Sequence, residues 1–406
     1  MSWKRVTIND LGKIVTGNTP PKNDSANYGG VYPFIKPTDM DIGSRRVNFF
    51  EESYSEKAYQ KYKRSYIPPK ATGVVTIGTV GEKMFQADQW CFTNQSVNVI
   101  IPSSDYDPDF VYYLMKVNLP KVENANPGTA SGRHHVSKSN FCAIPVDVPI
   151  ELATQRKIAA ILSAYDDLIE NNLRRIALLE EQARLVYEEW FVRLRFPGWE
   201  DTPLDEETGL PVGWVVRRIK EVCKYKGGGT PSTKVPEYWE EGSVSWFSPT
   251  DLTKASSIYP VDSARKITNL GLKNSSAKLM QPESFMMSSR ATIGLFAIMD
   301  KPFATNQGFI NILPLKSYHK EYLMLNLKSR VQEMINFSTG STFLELTKSK
   351  FGVMSIKWPS EVYLERFSEV VKPLFDTIIL LEKQNAILRE ARNLLLPRLM
   401  SGMIEV

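Results

Sequence analysis

The chain has 406 residues, 42% hydrophobic and 23% charged, so it is long enough for two or three domains with buried cores and its composition excludes global disorder. No apolar run reaches the roughly 18 residues of a membrane-spanning helix, and Met1–Arg5 lacks the apolar core of a signal peptide. Three scattered cysteines and three histidines exclude a disulfide framework and a His-rich metal centre, and they indicate a cytoplasmic protein.

Positive charge is concentrated in two blocks of the chain. Residues 1–150 hold 17 basic and 14 acidic side chains, a net charge of +3, and residues 213–360 hold 20 and 11, a net charge of +9. Residues 198–212 hold five acidic side chains and no basic one. Two basic blocks suit a polyanion such as DNA or RNA. Many cytoplasmic proteins are mildly basic, so charge alone leaves this open.

Residues 1–150 form the first predicted domain, in which short apolar runs are separated by Gly, Pro and Asn. Runs such as Gly73–Ile77 predict strands, and the residues between them predict turns. Residues 151–197 form the first long helix, because Glu151–Arg195 contains neither proline nor glycine. Apolar residues recur there at spacings of three and four, a heptad seam that includes Asn172.

Residues 198–212 follow a helix-stop sequence and form a predicted exposed acidic linker. Residues 213–360 repeat the plan of strands and turns and form the second predicted domain. Residues 361–406 contain the second long helix, whose apolar seam is interrupted only by Arg392. Pro373 lies in the first turns of this helix, where it predicts a kink or the start of a separate helix.

An internal repeat with an offset of 210 to 213 residues relates the two predicted domains. Six matches occur in the same order, which chance does not easily produce. The matching segments are Trp3–Val6 with Trp214–Arg217, Gly17–Pro20 with Gly228–Pro231, Phe34–Asp39 with Trp246–Asp251, Thr79–Gly81 with Thr292–Gly294, Thr93–Gln95 with Thr305–Gln307, and Lys138–Phe141 with Lys348–Phe351.

Connectivity predicts how the long helices pair. The first helix leaves domain one and the second leaves domain two, so pairing along their seams makes them antiparallel. We therefore expect an α+β fold in which two homologous mixed α/β domains, related by a pseudo-two-fold axis, are joined by two long antiparallel coiled-coil helices. About 40 helical residues span roughly 60 Å, and adjacent major grooves on one face of DNA lie roughly 34 Å apart. Two domains on such a rod could each enter one of these grooves, in inverted orientation.

Catalytic motifs are missing from the sequence. Gly227–Lys234 resembles a phosphate-binding loop, but Pro231 occupies a position where backbone amides should converge. No GxGxxG motif follows a predicted strand, and no methyltransferase signature is present. The carboxylate pair Asp166-Asp167 lies on the long helix, which favours a solvated or partner-facing surface. The sequence predicts no catalytic residue and no metal or cofactor site in this chain.

Repeated and divergent residues lead to different expectations for DNA contact. The Gly-x-Thr-Pro turns fit either phosphate contact or a plain structural turn. We expect Asp39 and Asp251 to cap turns and Lys36 to contact the DNA backbone. Base-reading residues should lie where the copies differ, because the copies should read different sequences. The base-reading candidates are Arg45, Arg46, Lys83, Arg133, His134 and His135 in the first copy, and Lys254, Arg265, Lys266 and Arg290 in the second. The other predicted DNA-contacting residues are Thr19, Lys22, Lys36, Thr230, Ser232 and Lys234.

With these motifs in order, twice over, the chain resembles the specificity subunit of type I restriction-modification systems along essentially its whole length. Leu210–Trp214, Gln155–Ala159 and the C-terminal Pro397–Gly402 also match that family, whereas the first copy lacks the Leu-Pro-x-Gly segment before its tryptophan. The resemblance implies two target-recognition domains that each read one half of a split DNA sequence. It also implies that the long helices set the length of the DNA spacer between the two halves and dock methyltransferase subunits. Two such subunits are expected.

The same resemblance implies a non-catalytic subunit. Methyl transfer to adenine N6, with S-adenosylmethionine, and ATP- and Mg-dependent cleavage would belong to the methyltransferase and restriction/translocase subunits. Apolar residues outside the seam, namely Leu185, Phe191, Ile379 and Leu394, are the predicted partner-binding residues. A free-standing sequence-specific DNA-binding protein and a scaffold that binds no DNA remain as alternatives. The missing motifs exclude a fused restriction-methylation enzyme as far as this chain goes.

Overall fold

The structure, a computed structural model, describes residues 2–126, 134–340 and 344–406. The chain divides into two compact units. Unit 1 comprises Met1–Ile169 and Ile387–Val406, and unit 2 comprises Glu170–Ala386. Each unit contains one of the predicted domains together with part of both long helices, so the helices are shared between the units rather than forming bodies of their own.

Unit 1 is built from three small sheets. Its described strands are β1 (Trp3–Thr7), β2 (Gly12–Thr16), β3 (Tyr28–Ile35), β4 (Glu52–Tyr54), β5 (Thr72–Val75), β6 (Met84–Gln86), β7 (Phe92–Thr93), β8 (Val97–Pro102) and β9 (Pro145–Pro149). The sheet orders are β1-β9, β2-β8-β5-β6 and β4-β3-β7. All neighbours are antiparallel except β3 and β7, which run parallel.

Helices connect and cover these sheets. They are α1 (Glu56–Tyr62), α2 (Pro108–Asn124), α3 (Lys138–Ala143) and the first long helix, α4 (Leu152–Tyr187). The hydroxyl of Ser55 caps α1, and the carboxylate of Asp107 accepts hydrogen bonds from two amides in the first turn of α2. These caps satisfy helix-terminal amides that have no partner inside the helix.

Unit 2 repeats the same set of sheets. Its described strands are β10 (Val215–Arg218), β11 (Cys223–Gly227), β12 (Val244–Phe247), β13 (Arg265–Ile267), β14 (Phe285–Ser288), β15 (Phe296–Ile298), β16 (Phe303–Thr305), β17 (Phe309–Pro314) and β18 (Ser355–Trp358). The sheet orders are β10-β18, β11-β17-β14-β15 and β13-β12-β16. Again the one parallel pair among the described strands is the third strand of the unit with the seventh, β12 with β16.

Every strand of unit 1 thus has a counterpart in unit 2, in the same chain order and with the same neighbours. The helices of unit 2 are α5 (Ile219–Val222), α6 (Pro249–Thr253), α7 (Asn269–Lys273), α8 (Lys320–Ser329), α9 (Val331–Phe337), α10 (Lys348–Val353) and the second long helix, α11 (Glu361–Met400). The predicted duplication and the α+β fold class, with mixed α/β units joined by long helices, are therefore confirmed.

The long helices run antiparallel within unit 2. Asn172 of α4 donates a hydrogen bond to Asn385 of α11 at 2.9 Å, and both side chains are fully buried. Tyr187, at the end of α4, packs against Phe367, near the start of α11. Contacts therefore move toward the start of α11 as they move toward the end of α4, as in an antiparallel pair. Asn172 and Asn385 are separated by the repeat offset of 213, so equivalent residues of the two copies face each other.

Two details of these helices differ from the sequence prediction. Pro373 starts no new helix, since α11 continues through it from Glu361 to Met400. The carbonyl of Pro373 accepts a hydrogen bond from the Thr377 hydroxyl instead. Asp166, expected on a solvated or partner-facing surface, is buried and paired with Arg392, so the apparent break in the seam is half of an ion pair.

The acidic segment 198–212 is largely exposed, as predicted, but it has a defined conformation. Asp205 accepts hydrogen bonds from the amide and the hydroxyl of Thr208, both at 2.8 Å, and Leu204 pairs with Pro211 across the resulting turn. Among the described residues, no helix combines the length and the apolar character needed to cross a bilayer.

Candidate nucleic-acid interface

The repeated Gly-x-Thr-Pro and Thr-Asn-Gln segments meet in unit 1. The amide of Asn18 donates to the carbonyl of Thr93 at 2.8 Å, and the Thr19 hydroxyl donates to the Gln95 side chain at 2.5 Å. A Cβ atom on Gly17 would lie 2.2 Å from the Thr93 carbonyl oxygen. Only glycine allows this approach, so the two motifs are repeated together because they support each other.

The same contacts recur in unit 2. The amide of Gly229 donates to Thr305 at 2.9 Å, and the Thr230 hydroxyl donates to Gln307 at 2.6 Å. A Cβ atom on Gly228 would lie 2.3 Å from the Thr305 carbonyl oxygen. One amide of each turn already donates a hydrogen bond within the chain, so a purely structural role explains part of this motif. The Thr19 and Thr230 side chains lie at the edge of the turn.

Aromatic side chains brace the turn of unit 1. The Tyr28 hydroxyl donates to the carbonyl of Pro20 at 2.7 Å, and the Tyr54 hydroxyl donates to the carbonyl of Asn18 at 2.5 Å. Sequence reasoning missed these braces. The recurrence of an aromatic residue at the repeat offset from Tyr28 was a usable signal.

Indole groups stabilise the equivalent turn of unit 2. Trp239 donates to the carbonyl of Ser232 at 3.0 Å, and Trp246 donates to the carbonyl of Gly229 at 2.9 Å. The exposed guanidinium of Arg265 lies 3.6 Å from the centre of the Trp239 ring. The structure therefore brings Thr230, Ser232 and Arg265 together at one aromatic-braced turn.

A third segment joins this end of each unit. In unit 1 the Thr76 amide donates to Ser96, just after the Thr-Asn-Gln turn, and the Gly78 amide donates to His134. In unit 2 the equivalent Ser289 amide donates to Gly308 at 2.7 Å, next to Arg290. Each unit thus presents one surface made of three turns, with His134 and His135 or Arg290 beside the repeated motifs.

The repeated aspartates cap helical turns, as predicted. Asp39 accepts a hydrogen bond from the Lys36 amide at 2.8 Å, and Asp251 accepts one from the Ser248 amide at 2.7 Å. A turn at this place in both units follows from the same local sequence, and the role is structural.

Arg45 is the clearest correction among the predicted DNA contacts. Its side chain is buried, donates to Gln86 at 2.8 Å and to Asp109 at 2.5 Å, and lies 3.6 Å from Asp167. Burial alone disfavours the ionised Asp109, but the hydrogen bond from Lys70 and the charge of Arg45 lower the pKa of this carboxyl. A guanidinium enclosed in this way cannot reach DNA, so the prediction for Arg45 is wrong.

Other predicted cations are engaged within the chain. The Lys36 ammonium, only 15% exposed, lies 2.9 Å from Glu51 and 3.2 Å from Glu52, which argues against the expected DNA-backbone contact. Lys83 donates to the carbonyl of Pro37 at 2.9 Å. Both ammonium groups therefore stabilise the turns from within the chain, and neither is directed to the exposed side of the turns.

Two cations of unit 2 are paired but accessible. Lys266 lies 2.9 Å from Asp262, and Arg290 lies 2.8 Å from Glu345 with 45% of its side chain exposed. A surface ion pair of this kind contributes about 0–1 kcal/mol. Such pairs leave both cations able to exchange a carboxylate for a phosphate or a base edge.

The remaining candidates differ in exposure. Arg46 is partly buried, and Arg133 lies outside the described residues. The exposed candidates are Lys22, His134, His135, Ser232, Lys234 and Lys254. The exposed candidate side chains therefore differ between the two units.

The predicted partner-binding residues fall into two groups. Leu185 and Leu394 are 48% and 55% exposed, as a docking surface requires. Phe191 is 4% exposed and packs against Tyr322 and Phe367, and Ile379 is packed on the same core. The prediction is therefore wrong for Phe191, which belongs to the core of unit 2.

Further exposed apolar residues lie on the same helices as Leu185 and Leu394. Leu178 and Leu185 lie seven residues apart on α4, and each is at least 48% exposed. On α11 the same spacing and exposure are found for Leu380, Ile387 and Leu394. A spacing of seven places each set on one face of its helix.

No group of three or more His, Cys, Asp and Glu side chains suited to a metal ion occurs in the part of the chain that the structure describes. Cys91 and Cys223 are buried free thiols, and burial raises the pKa of both, so neither is an activated nucleophile. The candidate interface offers hydroxyls, amides and cations for binding.

Comparison with known proteins identifies similar chains. The model of the type I restriction modification DNA specificity domain matches residues 1–181 and again residues 211–389. The type I restriction enzyme MjaIX specificity subunit of Methanocaldococcus jannaschii is 27% identical over 425 residues, covering 100% of this chain and 94% of that protein. The HindI specificity subunit of Haemophilus influenzae is 24% identical, covering 73% of this chain and 77% of its own length.

A solved structure shares the fold. The crystal structure of the S subunit of a type I restriction-modification system from M. genitalium superposes with a TM-score of 0.61 at 16% identity. The superposition covers 98% of this chain and 96% of that one. The similarity therefore extends over both units and both long helices.

Proposed function

This chain belongs to the family of type I restriction modification DNA specificity domains, and from that premise we propose how its two units share the recognition of DNA. It is the non-catalytic specificity subunit of a type I restriction-modification system, similar along its whole length to subunits of that name. Each unit is a target-recognition domain that reads one half of a bipartite DNA site. The long helices set the spacer between the halves.

One observation carries this proposal. The two units share strand order and the contacts of the repeated turns, while the side chains around those turns differ. A shared scaffold with divergent side chains is the arrangement expected when two related domains must bind two different sequences. Residues common to both units cannot distinguish half-sites, so discrimination is assigned to the divergent ones.

Most DNA-facing residues of this proposal lie at or next to the three-turn surface, and Arg46 and Lys254 are assigned from the sequence alone. In unit 1 they are Thr19, Lys22, Arg46, His134 and His135. In unit 2 they are Thr230, Ser232, Lys234, Lys254, Arg265, Lys266 and Arg290. Hydroxyls and lysines suit phosphate contacts, which fix position, and arginines suit bidentate contacts to guanine edges. The turns of each unit are held together by hydrogen bonds, so these side chains start from a fixed backbone.

The exposed heptad faces fit the partner subunits. Leu178, Leu185 and Leu394 leave apolar area in contact with solvent on helices whose other face is already buried. We assign these faces to the helices of the methyltransferase subunits, two per chain, one for each recognition unit. The restriction/translocase subunits join that assembly. S-adenosylmethionine, ATP and Mg are bound by the partners, and the complex acts on DNA in the cytoplasm.

Mapping of adenine methylation tests the proposal. The chain is expressed with its methyltransferase partner in a host that lacks other methyltransferases, and genomic DNA is sequenced for modified adenines. The expected result is one motif with two different defined halves and a spacer of fixed length and irrelevant sequence. Methylation at an uninterrupted motif, or without sequence preference, would contradict it.

A second candidate function, a free-standing DNA-binding protein, leaves the exposed helix faces unexplained. The matched experiment changes Leu185→Glu with Leu394→Glu and measures co-purification of the methyltransferase subunit. We expect assembly to weaken while each unit keeps its fold by circular dichroism. Unchanged assembly would count against the docking assignment.

A further inference from the structure

The helix α1 and the short turn after it carry a concentrated positive charge that neither the repeat nor the Gly-x-Thr-Pro turns explain. Residues 56–64 include Lys57, Lys61, Lys63 and Arg64 and a single acidic residue, Glu56. The Glu56 carboxylate accepts hydrogen bonds from Tyr32 and Gln60, so it is occupied within the chain. Nine residues of the chain thus carry a net charge of +3.

These cations lie on one face. Lys57, Gln60 and Lys61 of α1 occupy positions i, i+3 and i+4, and Arg64 lies in the 3-10 turn Lys63–Ser65 that follows the helix. All four side chains are exposed. The opposite face is buried through Ala58, which is fully enclosed. Positions with this spacing share one side of a helix. The helix therefore presents a cationic and amide-bearing face to solvent.

Packing holds this helix rigidly. Tyr59 stacks on Tyr32 with ring centres 4.4 Å apart, and Tyr54, at the end of the neighbouring strand, stacks on Phe92 at 4.5 Å. Aromatic rings of this kind anchor a helix through large buried areas. Its exposed face is therefore positioned before any ligand arrives.

Hydrogen bonds tie the start of the same helix to residues 24–27, which follow the Gly-Asn-Thr-Pro turn of the candidate interface. The Ser55 amide donates to the carbonyl of Asn27 at 2.9 Å, and the Ser55 hydroxyl donates to Ala26 at 2.6 Å. Lys57 lies 2.6 Å from Asp24, which follows the turn. Tyr54, just before the helix, reaches the turn itself, since its hydroxyl donates to the carbonyl of Asn18.

Unit 2 has a helix at the equivalent place with a different face. There Thr268 caps Asn269–Lys273 and is tied to Tyr238 by its amide at 2.9 Å, as Ser55 is tied to Asn27. That helix has five residues and one basic side chain, Lys273. The anchoring is shared and the exposed chemistry is not, which is the pattern expected of a sequence-reading element.

From these observations we infer that α1 and the turn after it form a DNA-reading element of unit 1, with Gln60, Lys61 and Arg64 facing the duplex. Seven residues give a helix about 10 Å long, and the major groove of B-DNA is about 12 Å wide. Lysine and arginine at the ends of this face suit phosphates or guanine, and the amide of Gln60 suits adenine. The inference rests on the proposed function and adds three residues to it.

The test uses the full chain in complex with its methyltransferase partner. The probe is duplex DNA carrying the site mapped for the wild-type complex, together with duplexes changed at each position of either half-site. Lys61→Ala with Arg64→Ala is compared with Lys13→Ala, an exposed lysine at the far end of β2 from the turn. We expect the double variant to lose at least roughly 30-fold in affinity, as 1–3 kcal/mol for each of two contacts implies, and Lys13→Ala to lose none.

The pattern of loss separates the ways in which α1 contacts DNA. Tolerance of new bases in one half-site only, with the other half unchanged, assigns base reading to this face. A uniform loss over all duplexes with a salt slope smaller by about two assigns two phosphate contacts. Both results support α1 as part of the interface.

Unchanged affinity and unchanged sequence preference in the double variant would overturn the inference. Failure of the proposed function has a different signature, since the wild-type complex would then show no bipartite site at all. Circular dichroism and an intact second half-site show that the variant is folded. The charge-conserving Lys61→Arg with Arg64→Lys provides a second variant, which retains phosphate contacts and changes base contacts.

Discussion

The interiors of the two units differ chemically at positions that their backbones make equivalent. In unit 1 the amide of Gln86 donates to the carbonyl of Arg45 at 2.8 Å, and in unit 2 the amide of Ile298 donates to Ile258 at 2.9 Å. All four residues are buried. The same backbone hydrogen bond therefore encloses an arginine and a glutamine in one unit and two isoleucines in the other.

This contrast extends to the long helices. Asp166 and Arg392, the buried ion pair of unit 1, correspond through the repeat to Ile379 and Leu179 of unit 2. Lys116 follows Tyr-Leu-Met in α2, and its counterpart after Tyr-Leu-Met in α8 is Leu325. Unit 1 thus meets the helices through charges, and unit 2 meets them through apolar side chains.

The comparison shows what the duplicated scaffold requires. Backbone geometry and the turn contacts are the same in both units, whereas the buried interior accepts either apolar groups or charges. The charges are accepted because they are paired, as in Asp166 with Arg392 and with the Tyr113 hydroxyl at 2.7 Å. A buried charge without a partner would be strongly unfavourable.

The largest expected effect comes from breaking the buried pair. Arg392→Leu leaves the Asp166 carboxylate enclosed with the Tyr113 hydroxyl as its remaining donor among the described residues, which should cost about 3–5 kcal/mol of unfolding free energy. Urea unfolding followed by circular dichroism measures this loss.

A matched variant imports the residues of unit 2. Asp166→Ile with Arg392→Leu removes both charges, so most of the lost stability should return, to within about 1–2 kcal/mol of the original chain. If the double variant is as unstable as the single one, the two interiors are not interchangeable in the way the comparison implies.

The difference between Lys116 in unit 1 and Leu325 in unit 2 should make the stability of the chain depend on pH. Burial lowers its pKa to about 8, with added repulsion from Arg392 and Arg45. Because the unfolded chain holds this proton up to a pKa of about 10.4, the folded state bears the cost of a buried charge in full below pH 8. That cost disappears as the pH rises toward the unfolded value.

Lys116→Met should therefore stabilise the chain at neutral pH by about 2 kcal/mol. The gain over wild type should shrink at a pH of about 10, where Lys116 is neutral in the folded state. Leu325→Met at the equivalent place is the control and should show the same small change at both pH values. A stability difference independent of pH would show that Lys116 carries no such cost.

The smallest effect is expected where the two copies are alike. Asn172 Oδ1 and Asn385 Nδ2 are buried without a hydrogen-bond partner, although the two side chains contact each other. Changing both to Leu should stabilise the helix pair by about 1 kcal/mol, while Asn172→Leu alone should cost about 1–3 kcal/mol by leaving Asn385 unpaired. Thermal unfolding of the three chains measures both signs, and a destabilised double variant would contradict the expectation.

Sequence reasoning succeeded for features set by local pattern and by repetition. The long helices, the strand-rich units, the duplication and the capping role of Asp39 follow from spacing and residue type. Arg45 could not be assigned in this way, because an arginine in a loop has the same sequence signature whether it faces solvent or a buried Asp109. Phe191 failed for the same reason, since its burial depends on Trp214 and Phe367, which lie far away in the chain.

The exposed face of α1 shows the opposite limit. Its spacing of cations was visible in the sequence, but its attachment to residues 24–27 was not. Contacts such as Ser55 with Asn27 and Lys57 with Asp24 join segments whose order in the chain does not determine their distance. Only these contacts in the folded chain identify the cations of residues 56–64 as part of a candidate DNA interface.

Lengthening both long helices tests most directly the claim that they separate two independent readers. Three heptads inserted after Arg174 and after the equivalent Ile387 add about 31 Å while preserving the seam, close to the roughly 34 Å of one DNA turn. The account predicts methylation of the same two half-sites with a spacer longer by about 10 base pairs. An equal insertion in the acidic segment 198–212 should leave the spacer unchanged. Retention of the original spacing by the lengthened chain would contradict the account.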